Sequence, residues 1–383
     1  MELTNESTYQ AATKISGIVE DHFLKHIALA ADNGEEDLAD VPSGKIIETM
    51  IDVAFWASLR KEEGNEPRIS LAFLKPSQAG RPLLFAQRLP LSPKTLVKLA
   101  PGVERAGVYV GVWHENGELY VWGTTIKLPN YCFVLDVSEP GLLVVKHRRI
   151  IGLGKFANVA VLKGDQVRVV DEASALLDDT PSILASLLGH NASGVWNHPV
   201  NVLIQIAVSM RAHKHGGILL VTPSGSEAWK ESIVHPLQYR IDPAFTGVAD
   251  LLRQEANKVS TEIFWQNALR REVDNITGLT AVDGATLIND RHELLAFGAK
   301  IMRASRSEPV EQVLWMEPVI GGHPSLIHPS SIGGTRHLSA AQFIHDQRDA
   351  IALVASQDGN FTIFSWSEQT QMVQAHRIDA LLL

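Results

Sequence analysis

From about residue 67 the chain breaks into short β-rich runs: "RISLAFL", "AGVYVGVW", "GELYVWGTTI", "YCFVLDVS" and "GLLVVKHRRII". Gly, Pro or Asn residues separate them. Runs this short, dense in β-branched and aromatic residues and punctuated by turn formers, specify strands. Asn116-Gly117 in "WHENGELYVW" marks a hairpin, because both residues tolerate the positive φ of a tight turn. A Gly-Asp turn sits likewise inside "ANVAVLKGDQVRVVD". Ahead of the strands, "AATKISGIVEDHFLKHIALA" and "VPSGKIIETMIDVAFWASLRKEEG" carry apolar residues at helical spacing. Residues 1–190 are therefore expected to form an α+β domain of two helices and a mostly antiparallel sheet.

Beyond about residue 182 the pattern changes. "SILASLLGH" and "HPVNVLIQIAVSMRAHKH" read as helices, and "GGILLVTPSG" reads as a short buried strand leaving a Gly-Gly step. One or two helices span 245–276. "LTAVDGATLIND" and "ELLAFGAKIM" predict two strands joined by a polar turn, and "EQVLWMEPVI" a further one. A loop rich in Gly, Pro, Ser and His then enters a helix at about 338–347, and "DAIALVAS" and "NFTIFSW" close the sheet. Interleaved strands and helices predict an α/β domain over 191–383, a mixed sheet flanked by helices.

Composition narrows the function. The formal charge is −9 and hydrophobic residues make up 45% of the 383. Broad nucleic-acid binding needs a basic surface and is not expected. Cys132 is the only cysteine, which excludes an intrachain disulfide and any Cys-based zinc site. No apolar run approaches the roughly 18–20 residues of a membrane span, and the polar N-terminus does not read as a leader. A cytoplasmic protein is expected.

Several local patterns carry little. "GLGKFA" (152–157) fits a loose dinucleotide fingerprint, with Asp171 near the ribose position. The fingerprint needs a helix next, but the β-branched run that follows predicts a strand. Gly154-Lys155 lacks the partners of a phosphate-binding loop. His323 and His328 read as loop histidines without a third metal ligand.

Two motifs carry more. "AVDGATLIND" places Asp283 in an apolar run, where an acid is expected only if paired or bound to a cation. Gly284 and Ala285 remove bulk behind it, so another group can approach the backbone. In "SIGGTRHLSA", Gly333 and Gly334 precede a helix start, whose free N–H groups and dipole favour an anion. Thr335 can donate a hydrogen bond there, Arg336 can fork onto phosphate oxygens, and His337 adds a further donor.

With these motifs in this order, residues about 200–370 resemble a diadenylate cyclase domain. That family is marked by Asp-Gly-Ala, here Asp283-Gly284-Ala285, and by Gly-Thr-Arg-His-Arg, here Gly334-Thr335-Arg336-His337-Leu338. "GGILLVTPSG" is similar to the family's Gly-led strand, and "RDAIALVASQDGNFTIFSW" resembles its closing hairpin. The N-terminal half resembles the sensor modules that sometimes precede such domains. The resemblance implies condensation of two ATP into cyclic di-AMP and two pyrophosphates, across a homo-oligomer with domains face to face. It implies a divalent metal, Mn2+ or Mg2+, on Asp283 with help from Asp358. It implies catalytic roles for Asp283, Arg336 and His337, and nucleotide contacts from Gly284, Ala285, Gly334, Thr335, Arg336, His337 and Ser356. Leu338 stands where the family has a second Arg, and the segment between the motifs is expanded. A non-catalytic nucleotide-binding sensor is the alternative.

Overall fold

The computed structural model describes residues 7–149, 156–176, 180–188, 198–255 and 263–383. It is a mixed α/β protein of two compact units, Met1–Val170 and Asp171–Leu382. The division falls ahead of the boundary expected at 190. The short helix at 182–187 packs on the helix that follows it and so belongs to the second unit.

In the first unit the elements are α1 (Gln10–Asp32), α2 (Gly44–Ser58), β1 (Ile69–Phe73), β2 (Leu83–Pro90), α3 (Pro93–Val103), β3 (Tyr109–Glu115) and β4 (Glu118–Thr125). β5 (Phe133–Glu139), β6 (Leu142–Arg148), β7 (Phe156–Lys163) and β8 (Gln166–Val169) follow. The sheet order is β2-β4-β3-β1-β5-β6-β7-β8. Only the β1–β3 pair is parallel, so the mostly antiparallel sheet expected from the turns is present. Ala12, Ile15, Val19 and Phe23 form a buried stripe on α1. They share one core with Ile47, Met50 and Ile51 of α2 and with Leu71, Leu135 and Leu143 of the sheet. The two helices also cap each other. Asp52 Oδ1 accepts from the amides of Thr8 and Tyr9 at 2.9 and 2.8 Å, and Glu20 Oε2 accepts from the amide of Gly44 at 2.8 Å. Each start therefore has an acid from the other helix to satisfy its free N–H groups. Most of "GLGKFA", residues 152–155, lies outside the described residues. From Phe156 the chain is strand β7, so no helix follows the glycines.

The second unit contains α4 (Ser182–Leu187), α5 (His198–Ala212), β9 (Gly217–Thr222), β10 (Tyr239–Phe245), α6 (Gly247–Glu255), α7 (Ile263–Leu279), β11 (Ala285–Asn289) and β12 (Leu294–Ala299). Then come β13 (Val313–Met316), β14 (Ser325–Ile327), α8 (Ser330–Gly333), α9 (Thr335–Asp346), β15 (Ile351–Ala355), β16 (Phe361–Ser367) and β17 (Met372–Arg377). The order is β10-β12-β11-β9-β15-β16-β17-β13-β14. β9 pairs parallel with β11 and antiparallel with β15, so the sheet is mixed. All six residues of β9 are buried. Side chains alternate between faces along a strand: Ile218 and Leu220 pack with Ala340, Ala341, Phe343 and Ile344 of α9. On the helical side, α5 contacts β15 and α7 contacts β12. Helices thus flank a mixed sheet, as the interleaved pattern implies.

Candidate functional site

The start of β9 is where the two sequence motifs meet. Gly216, one residue ahead of the strand, has φ +71°. A Cβ built there would lie 2.8 Å from Arg336 Nη1 and 3.2 Å from the Ala355 carbonyl oxygen. The Arg336 guanidinium therefore lies across a glycine, beside the end of β15. Strand register brings in the rest. Ala285 pairs with Ile218, and Ala355 pairs with Gly217. Asp283, two residues before Ala285, stands on one side of this level. Ser356, directly after Ala355, stands on the other. Asp283, Gly216, Ser356 and Arg336 thus occupy one end of the sheet.

Arg336 is half-buried, and none of the ion pairs among the described residues includes it. Gly334 is the N-cap of α9 at φ +77°, and no side chain caps the helix. Gly334 and Thr335 are exposed. An uncapped helix start with an adjacent cation is suited to an anion. The helix begins at Thr335, three residues ahead of the expected 338, so the motif forms the first turn itself.

His337 differs from its expected role. Its exposure is 0%, and both ring nitrogens are engaged within the protein. Nδ1 donates to the Gly333 carbonyl at 3.1 Å, and Nε2 accepts from the Thr362 hydroxyl at 3.3 Å. Burial lowers its pKa from the usual value, and the Arg336 charge adds to this. His337 is a neutral tether holding the glycine turn to α9, not a donor to a ligand.

The Asp-Gly-Ala motif also needs correction. Asp283 is exposed, not buried in an apolar run, because β11 begins only at Ala285. Gly284 has φ +106°, and a Cβ there would lie 2.6 Å from the Gly298 carbonyl carbon. The neighbouring strand β12, not a nucleotide, fills the space beside Gly284. Ala285 is buried in the core with α9, so it does not face a ligand. Asp358 is exposed at the turn between β15 and β16. It and Asp283 flank β9 from opposite sides, about two strand spacings or ~10 Å apart. They are not brought together as ligands of one ion. Ser356 organises that same turn, with its hydroxyl accepting from the Asn360 amide at 3.1 Å.

Leu338 points elsewhere. Two residues on from Arg336, it lies roughly 200° round the helix. It lines a cavity of about 610 Å³ with Met302, Arg303, Glu311, His328 and Gln342. His323 and His328 are exposed loop residues, and His328 Nδ1 bonds to the Ser330 hydroxyl at 2.7 Å.

The sequence reading did not single out the run "RAHKHGG" ahead of β9. His213 Nδ1 accepts from the His215 amide at 3.1 Å, which leaves Nε2–H to donate to Thr280 Oγ1 at 3.1 Å. Burial and the His215 charge push the His213 pKa down. Arg211 Nε donates to the Gly359 carbonyl at 3.2 Å, and the Gln357 amide donates to the His215 carbonyl at 3.4 Å. The run therefore links the β15–β16 turn to the segment before β11. A basic cluster directly ahead of a Gly-led strand was the available signal.

Residues 36–126 match the family described as probable sensor domain DACNV. The DACNV segment covers α2 and β1 through β4, the half of the first sheet that holds its only parallel pair. α1 and the strands after β4 share its hydrophobic core, so the first unit as a whole carries the sensor module. No curated protein matches the chain. Among the described residues no helix is long and apolar enough to cross a membrane.

Proposed function

We propose that the second unit binds ATP with a divalent cation and condenses two ATP into cyclic di-AMP, under control of the DACNV-bearing unit. The observation that carries this reading is the convergence of Gly216, Asp283, Arg336 and Ser356 at one sheet end, beside the uncapped start of α9. Phosphoryl transfer asks a protein mainly for positioning and charge neutralisation. This end supplies both.

The donor set suits Mg2+ or Mn2+. Such ions take oxygen ligands and keep several positions for water and phosphate, so one exposed carboxylate, Asp283, suffices on the protein side. A bound cation would supply neutralisation of triphosphate charge. The chain's own residues do the rest. Amides of the first turn of α9 and the Thr335 hydroxyl bind phosphate oxygens. Arg336 holds charge that builds on the leaving pyrophosphate, and Gly216 lets its guanidinium lie flat across the strand start. Asp283 accepts the hydrogen bond of the attacking 3′-hydroxyl. That oxygen bonds to the α-phosphorus of the facing ATP while pyrophosphate departs, and the second bond forms the same way. Each domain holds one ATP, so two copies must face each other. His337 and Ser356 are positioning residues, one for the glycine turn and one for the hairpin.

Arg336→Ala tests the reading by calorimetry with Mn2+-ATP. A charge-assisted contact is worth about 1.5–3 kcal/mol, so affinity should fall roughly tenfold or more. Unchanged affinity in a folded Arg336→Ala protein would remove the anion cradle.

A further inference from the structure

The first unit holds a second cluster with metal-ligating chemistry, remote from the motifs above. His22 and His26 lie one helical turn apart on α1, so both point from the same face. His147, on β6, faces them from the sheet. Ring centroids are 4.3 Å apart for His22–His26, 5.4 Å for His22–His147 and 5.8 Å for His26–His147. One ring nitrogen of His22 lies within 4.8 Å of one of His147.

We propose that His22, His26 and His147 form a three-imidazole site for a divalent first-row transition cation of the zinc, copper or nickel class. The spacing fits. With metal–nitrogen bonds of about 2.0–2.1 Å, each ring centre stands about 3.2 Å from the ion. Three such rings are then about 4.5 Å apart at right angles and about 5.2 Å apart in a tetrahedron. The observed triangle spans these values. Imidazole ligation favours zinc, copper and nickel over calcium or magnesium, which take oxygen ligands.

The surroundings support ligation. His147 Nδ1–H donates to the Arg148 carbonyl at 3.3 Å, which fixes the tautomer and leaves the Nε2 lone pair for a metal. Its ring is 5% exposed and stacks on Tyr131 at 5.0 Å, with Phe23 edge-on at 6.2 Å. Burial, reinforced by His22, pushes its pKa down to about 3, so the imidazole is neutral and ready to ligate at ordinary pH. His22 and His26 are half-buried, which gives an ion a route in from solvent. Arg149 is the cationic neighbour that opposes a metal here, and coordination bonds must outweigh it. α1 packs into the same core as the DACNV segment, so ligation by two residues of α1 and one of β6 would tie helix to sheet in the sensor unit.

The test uses the untagged full-length chain, stripped of metal and titrated with Co2+. One equivalent should bind with the intense visible d–d band of nitrogen-ligated tetrahedral cobalt, and Zn2+ should displace it. His26→Gln and His22→Asn change half-buried positions and should lower Co2+ affinity at least tenfold while the far-UV spectrum of the metal-free protein stays unchanged. His147→Asn should do the same if it folds. Uptake should persist in Asp283→Asn, which separates this site from the nucleotide site. No stoichiometric uptake by the wild type, or full uptake by a folded His22→Asn/His26→Gln double variant, would overturn the proposal.

Discussion

Gly216 is the residue on which the geometry of the second unit turns. Its φ of +71° suits glycine, and its missing side chain leaves room for Arg336. Gly216→Ala adds strain of roughly 1 kcal/mol and drives the new methyl into the guanidinium. Affinity for Mn2+-ATP should fall several-fold with only a small loss of melting temperature, as read by calorimetry and thermal denaturation. A folded variant with wild-type affinity would separate Arg336 from the ligand. At the other end of α9, the Asp346 carboxylate is fully buried. It accepts from the Ala304 amide and the Gln342 side chain, both at 2.8 Å. Asp346→Ala leaves those donors unpaired, and the expected loss is about 2–4 kcal/mol in urea denaturation. A loss below 1 kcal/mol would mean water replaces the carboxylate.

Helix α1 and helix α2 show what an element needs beyond its own sequence. Each start is capped by an acid from the other helix, so neither cap is visible as a local Ser/Thr/Asp signal. Asp52→Ala should cost about 1–2 kcal/mol, measured by chemical denaturation of the full chain. Strand β17 carries a pH dependence. Burial pushes buried His376 down to about 4. The unfolded chain takes up this proton from about pH 6.5 downward, whereas the folded chain does not until about 4. Stability is therefore complete above the unfolded value and falls with acidification, by roughly 3 kcal/mol at pH 4. His376→Phe should flatten that part of the profile, and an unchanged acid slope would assign it elsewhere. The same elements show which parts were legible. Strands with a buried face, such as β3 to β7, stand out by composition and turns. β2 did not, because it is an edge strand whose Leu83 and Leu84 are exposed. α3 was missed although Ser92 and Pro93 form a standard start, since its apolar stripe is short. At the site, the residue types of both motifs were legible, but burial was not. Nothing local says that His337 turns inward or that Gly298 fills the space behind Gly284. Those facts depend on which strand lies next door.

For the whole molecule, the account joins a DACNV-bearing sensor unit to a nucleotide unit whose chemistry needs a second copy. If each domain supplies one ATP, specific activity should rise with protein concentration over the range where dimers form, followed by light scattering alongside initial rates. Activity from a protein that stays monomeric during turnover would exclude the two-domain mechanism. Asp283→Asn keeps size and loses charge, so it should abolish product in a folded protein. The most direct measurement incubates the purified full-length chain with ATP and Mn2+ or Mg2+ and follows products by mass spectrometry. The account predicts cyclic di-AMP and pyrophosphate in a 1:2 ratio, lost in Asp283→Asn and strongly reduced in Arg336→Ala. Mn2+-ATP binding without any cyclic di-AMP, at protein concentrations where the dimer is populated, would contradict it.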